Sequence, residues 1–237
     1  MLALITGASR GIGAAAARRL AADGYTVLIH CCRRTDLAQK LAEELHGAAF
    51  SADFSDLSQT DALAEAVLSR YGTPDLLINN AAVSVTGLFQ EIPDGEAEAL
   101  FRVNILSMMR LTKRLLPGMI AKKSGCIVNV ASVWGEAGAS CEVHYSASKA
   151  AVIGFTKALA QEVGPSGIRV NCVSPGVIDT DMNRMHSAEA MQQLADETPL
   201  SRIGTPEEAA DAIAFLASDA ARFITGQVLS VNGGFHT

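Results

Sequence analysis

Short apolar runs alternate with helix-like segments along almost the whole chain. The apolar runs have the length and composition of buried strands and lie at 2–6, 25–30, 48–52, 75–79, 125–130, 168–173 and 228–231. The helix-like segments lie at 14–22, 35–46, 57–71, 94–121, 145–163 and 206–218, and Pro117 is expected to kink or shorten the fourth. This alternation predicts an α/β fold, a doubly wound parallel sheet of about seven strands with helices on both faces.

Glycine-rich or polar segments follow four of the predicted strands. These are the glycine loop 7–13, then Asn79-Asn80-Ala81-Ala82, then Ser132, and finally Pro175-Gly176. Ligands of open α/β sheets bind at the carboxyl ends of the strands. Because the strands are predicted to be parallel, we expect all four segments at one edge of the sheet.

The loop 7–13 carries glycine at positions 7, 11 and 13, between a predicted strand and a predicted helix. Glycine suits a tight turn, a close backbone approach to a pyrophosphate and tight packing of helix on strand. The free N–H groups at the start of the helix would face the phosphates. The spacing differs from the commoner Gly-x-Gly-x-x-Gly, and a glycine turn without a ligand is the alternative interpretation.

Tyr145 and Lys149 are four residues apart in a predicted helix, so they share one face. A tyrosine ordinarily loses its proton near pH ~10, and a neighbouring cation favours the phenolate. The pair, with Ser132 upstream, therefore predicts a proton donor or acceptor whose pKa is lowered toward the working range. The same spacing also arises by chance on surface helices.

Length and composition narrow the class of protein. The chain has 237 residues, 49% of them hydrophobic and 19% charged, which predicts one globular domain over 1–237. Its net charge of −6 and scattered basic residues argue against nucleic acid. No apolar run approaches the ~20 residues of a membrane span. The chain also begins directly in its first strand, so we expect a cytoplasmic protein. The five cysteines have no metal-ligand or disulfide spacing, and no metal is expected.

These motifs resemble the short-chain dehydrogenase/reductase family over nearly the full length of the chain. The matching segments are Thr6-Gly7-Ala8-Ser9-Arg10-Gly11-Ile12-Gly13, Asn79-Asn80-Ala81-Ala82, Asn104, Ser132, Tyr145-x-x-x-Lys149, Pro175-Gly176 and Gly226-Gln227-x-x-x-Val231-Asn232-Gly233-Gly234. Ala82 departs from the family motif, which usually ends in glycine. The resemblance implies a single NAD(P)-binding Rossmann domain, with a substrate lid around 180–203.

The resemblance also implies roles for individual residues. Tyr145 would protonate a carbonyl oxygen, and Lys149 would lower the tyrosine pKa and bind the nicotinamide ribose. Ser132 would orient the carbonyl, and Asn104 would hold a water unless it simply bonds backbone. The implied cofactor contacts are Gly7, Ser9, Arg10, Gly11, Ile12, Gly13, Asn80, Ala81, Tyr145, Lys149, Pro175, Gly176, Ile178 and Thr180.

The second strand ends at His30-Cys31-Cys32, without the acidic residue that selects NAD. Arg33 and Arg34 follow at once, and together with Arg10 they favour the 2′-phosphate of NADP(H). The alternative is that both arginines lie at a solvated start of a helix. Asp53 resembles the family residue that contacts adenine, with Phe54 beside it.

Two substrates remain open. The chain resembles 3-oxoacyl-carrier-protein reductases, but Cys126 and Ser166 stand where that subfamily usually carries the basic residues that grip its acidic carrier. The loop 134–143 contains Trp134, Glu136 and Glu142 and is expected to line the substrate site. This loop resembles that of reductases acting on a 5-aminopentanone group of elongation factor P, where two carboxylates suit an amine-bearing ketone.

The family also implies an oligomeric state. Its members are commonly homotetramers joined through the two long helices, and we expect the same here.

A non-catalytic NADP-binding regulatory protein is the remaining alternative, since fold alone does not establish activity. The set Asn104, Ser132, Tyr145 and Lys149 argues against it, because a protein that only binds has no need of a proton donor.

Overall fold

The computed structural model describes residues 1–183 and 187–236, and a single parallel sheet runs through its centre. Its seven strands are β1 (Leu2–Ile5), β2 (Thr26–Cys31), β3 (Ala48–Ser51), β4 (Leu76–Asn79), β5 (Gly125–Val130), β6 (Ile168–Pro175) and β7 (Val228–Val231). They lie in the order β3-β2-β1-β4-β5-β6-β7, and every neighbouring pair is parallel. The order reverses between β1 and β4, which is the switch point of a doubly wound Rossmann sheet. The predicted fold class is confirmed.

Helices cover both faces of the sheet. They are α1 (Gly11–Ala22), α2 (Thr35–Glu44), α3 (Leu57–Tyr71), α4 (Asp94–Phe101), α5 (Ser107–Lys122), α6 (Val133–Ala137), α7 (Val143–Val163), α8 (Ala188–Glu197) and α9 (Pro206–Ala217). Short 3₁₀ turns lie at Phe89–Glu91, Gly164–Ser166, Asp181–Asn183 and Asp219–Ala221. α1 packs against α9, and α3 packs against α5.

The core has two layers because the strands are buried on both faces. In β1, Ala3 and Ile5 contribute to the layer under α1 and α9, whereas Leu4 contributes to the layer under α3, α5 and α7. All three side chains have no exposed surface. A strand buried on both faces reads as a continuous apolar run rather than an alternating one. This is why short apolar runs located the strands correctly.

The long helix predicted at 94–121 is interrupted, but not by its proline. A π-helical turn at Arg102–Leu106 separates α4 from α5, and Pro117 lies inside α5, which continues to Lys122. The predicted shortening at Pro117 is therefore wrong, while a kink there stays a prediction. Leu115 and Met119 are fully buried on either side of the proline, and their packing holds the helix together past the missing N–H.

Two helices were not expected from the sequence. α6 begins after Ser132, whose hydroxyl accepts a hydrogen bond from the Trp134 N–H at 3.2 Å. α8 lies within the segment 180–203, which was expected to have little regular structure, and Ser187 caps it in the same way. Residues 184–186 of the proposed lid lie outside the described residues. A serine cap ahead of a helix-forming stretch was the available signal for both helices.

Candidate active site

The glycine turn between β1 and α1 requires glycine at each of its three positions. Gly7 and Gly11 have φ angles of +64° and +56°, in the left-handed region that favours glycine. A Cβ on Gly13 would lie 2.6 Å from the Gly7 oxygen and from the Asn80 amide nitrogen. α1 therefore begins close against the turn, and its first residues have no side-chain cap. The free N–H groups at this helix start suit an anion.

Asn80, at the end of β4, braces the turn from one side. Its side-chain amide donates hydrogen bonds to the carbonyl oxygens of Thr6 at 2.9 Å and Gly7 at 3.1 Å. The Thr6 hydroxyl oxygen accepts in return from the backbone N–H groups of Asn80 and Ala81, each at 3.0 Å. The ends of β1 and β4 are thus joined at the switch point, as the sequence predicted.

Tyr145 and Ser132 lie together at the carboxyl edge of the sheet. Tyr145 extends from the first turn of α7 and is only 7% exposed, and Ser132 follows β5. Burial raises the pKa of Tyr145 to about 12, a hydrogen bond with Ser132 opposes that rise, and the charge of Glu142 adds to it. The tyrosine pKa is therefore raised rather than lowered, because removal from water outweighs the expected effect of Lys149.

Lys149 lies one helical turn after Tyr145 and is also buried. Its ammonium donates a hydrogen bond to the Val130 carbonyl oxygen at 2.8 Å and lies 5.7 Å from the centre of the Tyr145 ring. Burial lowers the pKa of Lys149 to about 8. The lysine is thus anchored to the end of β5 beside the tyrosine, and burial makes its ammonium easier to deprotonate than an ordinary lysine.

Asn104 lies in the π-helical turn between α4 and α5. Its amide oxygen accepts from the Val83 N–H at 2.8 Å, and its amide nitrogen donates to the Val83 oxygen at 2.9 Å and to the Ser148 hydroxyl at 3.0 Å. Asn104 does bond backbone, through Val83, and whether it also holds a water stays a prediction. A π turn shifts the side-chain register of a helix, which turns Asn104 inward.

The three arginines expected at a 2′-phosphate differ in their contacts. Arg10 forms an ion pair with Asp181 at 2.7 Å, and Arg34 forms a two-pronged ion pair with Asp36. Arg33 forms no ion pair within residues 1–183 and 187–236. Hydrogen bonds from Ser55 and then the charge of Arg33 hold the pKa of Asp53 below its ordinary value. Arg33 therefore lies near enough to Asp53 for its charge to act on the carboxylate.

The remaining candidate contacts lie along the same edge. A Cβ on Gly176 would meet the Asn232 Cα at 2.8 Å, so the chain after Pro175 packs tightly against the segment after β7. Ile178 is buried, and a Cβ on Gly11 would lie 3.4 Å from the Thr180 methyl carbon. Phe54 is only 4% exposed, so its ring belongs to the core. Ser9 and Ile12 are half-buried in the glycine loop.

The loop between Ser132 and Tyr145 packs against the end of the chain. Trp134 meets Phe235 edge to face, with ring centres 5.4 Å apart. Glu136 accepts a hydrogen bond from the Ser230 hydroxyl at 3.2 Å, and Glu142 accepts one from the Ser84 hydroxyl at 3.3 Å. Glu142 lies closer to the chemistry, because its charge reaches Tyr145, whereas Glu136 is largely exposed.

Sequence reasoning missed Ser148 and the partners of the two glutamates. The Ser148 hydroxyl donates to the Tyr145 carbonyl oxygen at 2.7 Å and accepts from Asn104, so it links the π turn to α7. The spacing 145, 148, 149 and 152 on the buried face of α7 was a usable signal for it. Ser84 and Ser230 come from distant loops and carried no such signal.

Comparison with known proteins identifies the family. A family model described as enoyl-(acyl carrier protein) reductase matches residues 7–236. The uncharacterized oxidoreductase YmfI of Bacillus subtilis is 44% identical over 240 residues, which cover 99% of this chain and 98% of that protein. The 3-oxoacyl-[acyl-carrier-protein] reductases FabG of Escherichia coli and Staphylococcus aureus are 39% and 37% identical, covering 99% of this chain and 97% of each relative. The chain belongs to the short-chain dehydrogenase/reductase family.

The described part of the chain has no membrane-spanning helix and no cluster of metal-binding side chains. None of its helices is both long and apolar enough to cross a membrane. Within residues 1–183 and 187–236, no group of three or more histidine, cysteine, aspartate or glutamate side chains is arranged to hold a metal ion. All five cysteines are free, and Cys31, Cys126 and Cys172 are buried. The three buried cysteines are small core residues.

Proposed function

We propose that this protein is an NADPH-dependent oxidoreductase that reduces a ketone to a secondary alcohol with Tyr145 as general acid. The observation that carries the proposal is the group formed by Tyr145, Ser132 and Lys149, in which a buried phenol lies beside a buried ammonium and the Ser132 hydroxyl is near enough to lower the tyrosine pKa. The oxidoreductase relatives support the reaction class. The hydroxyl groups of a serine and a tyrosine close together can both donate hydrogen bonds to a carbonyl oxygen. We therefore favour reduction of a ketone over reduction of a carbon–carbon double bond.

The chain offers a fitting site for a dinucleotide. The glycine turn would hold the pyrophosphate, since a Cβ on Gly7 would collide with Ala81 and one on Gly13 with Asn80, so that glycine lets the turn close tightly ahead of the helix start. Arg10, Arg33 and Arg34 would hold the 2′-phosphate, and Asp53 would bind the adenine. Asn80, Ala81 and the segment from Pro175 to Thr180 would border the nicotinamide end. When bound, the cofactor supplies the hydride.

The protein's own groups would handle the proton. The Ser132 hydroxyl would orient the substrate carbonyl, and the Tyr145 hydroxyl would donate its proton to the carbonyl oxygen. Because the pKa of Tyr145 is about 12, the phenol is protonated at neutral pH and ready to donate. The phenolate left behind would be stabilised by Ser132 and by the neighbouring ammonium of Lys149. Asn104 and Ser148 would keep the start of α7 in place.

We propose a 3-oxoacyl thioester as the first substrate to test. The FabG relatives, which cover nearly the whole chain, are named as 3-oxoacyl-[acyl-carrier-protein] reductases. The surface that would face an acidic carrier protein, however, has little positive charge. Cys126 is buried, Ser166 is uncharged, and Lys122 is engaged by the Thr73 oxygen at 2.6 Å and Asp75 at 3.1 Å. Lys123 is left as an exposed cation on this side.

The second candidate is a cationic ketone, the 5-aminopentanone group carried by a modified elongation factor P. The observation that favours it is Glu142, whose carboxylate lies close enough to raise the pKa of Tyr145. A substrate amine bound near Glu142 would neutralise that charge beside the proton donor. An acyl chain would gain nothing from it.

The decisive experiment compares two substrates with the purified protein. NADPH oxidation is followed with acetoacetyl thioester and, separately, with a short amino-ketone or a 5-aminopentanone-modified elongation factor P. A higher kcat/KM for the thioester supports the 3-oxoacyl thioester as substrate, and a higher kcat/KM for the amino-ketone supports the cationic ketone. Turnover of neither substrate, with NADPH still bound, would favour the non-catalytic regulatory alternative.

Two structural proposals accompany this function. The segment 180–203 would act as a lid over the substrate, and its described part includes the turn Asp181–Asn183 and helix α8. The ion pair between Arg10 and Asp181 connects this segment to the glycine turn. We also propose a homotetramer formed through the two long helices, which sedimentation of the purified protein would test.

A further inference from the structure

The side chain of His30 lies buried between the glycine turn and the segment that follows β3. It is 2% exposed, and both ring nitrogens have partners. The Gly7 N–H donates to Nδ1 at 3.3 Å, and Nε2 lies 3.0 Å from the Ala52 carbonyl oxygen. Since Nδ1 accepts, the ring proton is on Nε2 and donates to Ala52. These two bonds require the neutral ring, because a charged imidazole has no acceptor.

The backbone of His30 holds the same turn. Its carbonyl oxygen accepts a hydrogen bond from the Ala8 N–H at 2.9 Å. Two consecutive amides, those of Gly7 and Ala8, are therefore bound by one residue. Asn80 binds the Gly7 carbonyl from the other side at 3.1 Å. Because these backbone groups are already paired within the protein, the path of the turn is set from two directions.

The His30 ring also contacts the segment expected to face the adenine. It stacks on Phe54 with ring centres 4.1 Å apart and planes 14° apart. Phe54 directly follows Asp53, whose carboxylate is bound by the N–H and hydroxyl of Ser55. One buried ring therefore contacts both the glycine turn and the segment that carries Asp53.

We propose that His30 is a positioning residue for dinucleotide binding, joining the Gly7–Ala8 turn to the Asp53–Phe54 segment so that both meet the cofactor in one fixed arrangement. The proposal rests on the proposed function, since it assumes that these two segments hold a dinucleotide. His30 is too buried to contact the ligand itself, so it acts through Gly7, Ala8 and Phe54. No other side chain in the described part of the chain accepts a hydrogen bond from the Gly7 N–H.

Three variants separate the interactions of the ring. His30→Asn places an amide oxygen near the position of Nδ1, so it can still accept from Gly7. His30→Gln places an amide nitrogen near Nε2, so it keeps the bond to Ala52 but not the one to Gly7. His30→Phe keeps the stack on Phe54 and loses both hydrogen bonds. His46→Asn is the control, because His46 is exposed and its φ of +52° is one that asparagine accepts.

Three quantities are measured for each variant: the dissociation constant of NADPH by fluorescence titration, amide hydrogen exchange at Gly7 and Ala8 without cofactor, and kcat at saturating NADPH. We expect His30→Phe and His30→Gln to weaken NADPH binding by at least about tenfold, because a buried amide loses its partner. Exchange at Gly7 should become faster, and kcat should stay within about twofold. His30→Asn should recover most of the affinity, and His46→Asn should match the wild type.

The outcomes distinguish this proposal from the proposed function. If wild-type protein binds NADPH and His30→Phe binds it equally well, the positioning role is wrong while the function stands. The role is also wrong if His30→Asn loses as much affinity as His30→Gln, since the bond to Gly7 would then be irrelevant. If the wild type binds neither NADPH nor NADH, the proposed function itself fails, and this proposal fails with it.

Discussion

One side chain, that of Asn104, satisfies both backbone groups of Val83. The amide oxygen accepts from the Val83 N–H at 2.8 Å and the amide nitrogen donates to its carbonyl at 2.9 Å. The same amide donates to Ser148, which in turn bonds the Tyr145 carbonyl oxygen. The loop after β4 is thereby connected to the first turn of α7, on which the candidate proton donor lies.

Replacing Asn104 should cost stability as well as activity. We expect Asn104→Ala to lower the free energy of unfolding by about 1–3 kcal/mol, because buried partners of the amide lose their hydrogen bonds. Urea denaturation measures this change. Asn104→Asp is the informative companion, since it keeps the acceptor for the Val83 N–H and loses both donors. A wild-type unfolding midpoint for both variants would contradict the bridging role.

Removing the Tyr145 hydroxyl should abolish most of the turnover. Tyr145→Phe keeps the buried ring and removes the proton donor, so we expect kcat to fall by at least about 100-fold, the lower range for general acid catalysis. NADPH affinity should change little. Tyr71→Phe is the matched control, because Tyr71 is 44% exposed at the end of α3. If Tyr145→Phe keeps more than a tenth of the wild-type kcat, Tyr145 is not the general acid.

Coenzyme preference should depend more on Arg33 than on Arg34. We expect the wild type to prefer NADPH over NADH at least about tenfold, as charge-assisted hydrogen bonds contribute ~1.5–3 kcal/mol each. Arg33→Ala should remove most of that preference. Arg34→Ala should remove less, because Arg34 is already paired with Asp36. The preference is measured as the ratio of kcat/KM with NADPH to kcat/KM with NADH. Equal use of both coenzymes by the wild type would refute the NADP assignment.

Stability should fall with pH between about 6.5 and 4 because of His30. Burial lowers the pKa of this histidine to about 4, against an ordinary value of 6.5. The unfolded chain therefore binds a proton first as pH falls, so the stabilisation is complete above pH ~6.5 and is lost progressively toward pH ~4. The loss is at most about 3 kcal/mol.

Unfolding free energies of the wild type and His30→Asn at pH 7 and pH 4.5 measure this dependence. The difference between the two proteins should shrink at the lower pH, because the variant has no group to titrate at this position. The hydrogen bond to Ala52 opposes the lowering of the His30 pKa but is outweighed by burial. An identical pH dependence of both proteins would assign the loss to other groups.

The two carboxylates of the substrate loop should matter for one class of ketone only. Glu142→Gln should lower kcat/KM for an amino-ketone and spare acetoacetyl thioester, because only the cation loses a charge partner. Glu136→Gln should have the smaller effect, because Glu136 is exposed, whereas the charge of Glu142 acts on the pKa of Tyr145. Equal losses with both ketones would remove the cation hypothesis.

Sequence alone sufficed for the fold because its signals are local. Strands buried on both faces are apolar throughout, and β5 and β7 were predicted with their observed bounds. The glycine turn could also be predicted from the sequence. Its left-handed φ angles and close backbone approach cost glycine far less free energy than any other residue. The four segments predicted at one sheet edge followed from parallel topology, and Asn80 joins two of them directly.

Tertiary structure decided the properties that depend on partners distant in the chain. The pKa of Tyr145 is raised because many elements together exclude water from it, and the tyrosine–lysine spacing led to the opposite expectation. The hydrogen bonds of Asn104, the pairing of Arg10 with Asp181, and the two bonds of the His30 ring likewise join residues far apart in sequence. Local patterns report propensity and periodicity, whereas desolvation and long-range hydrogen bonds exist only once the chain has packed.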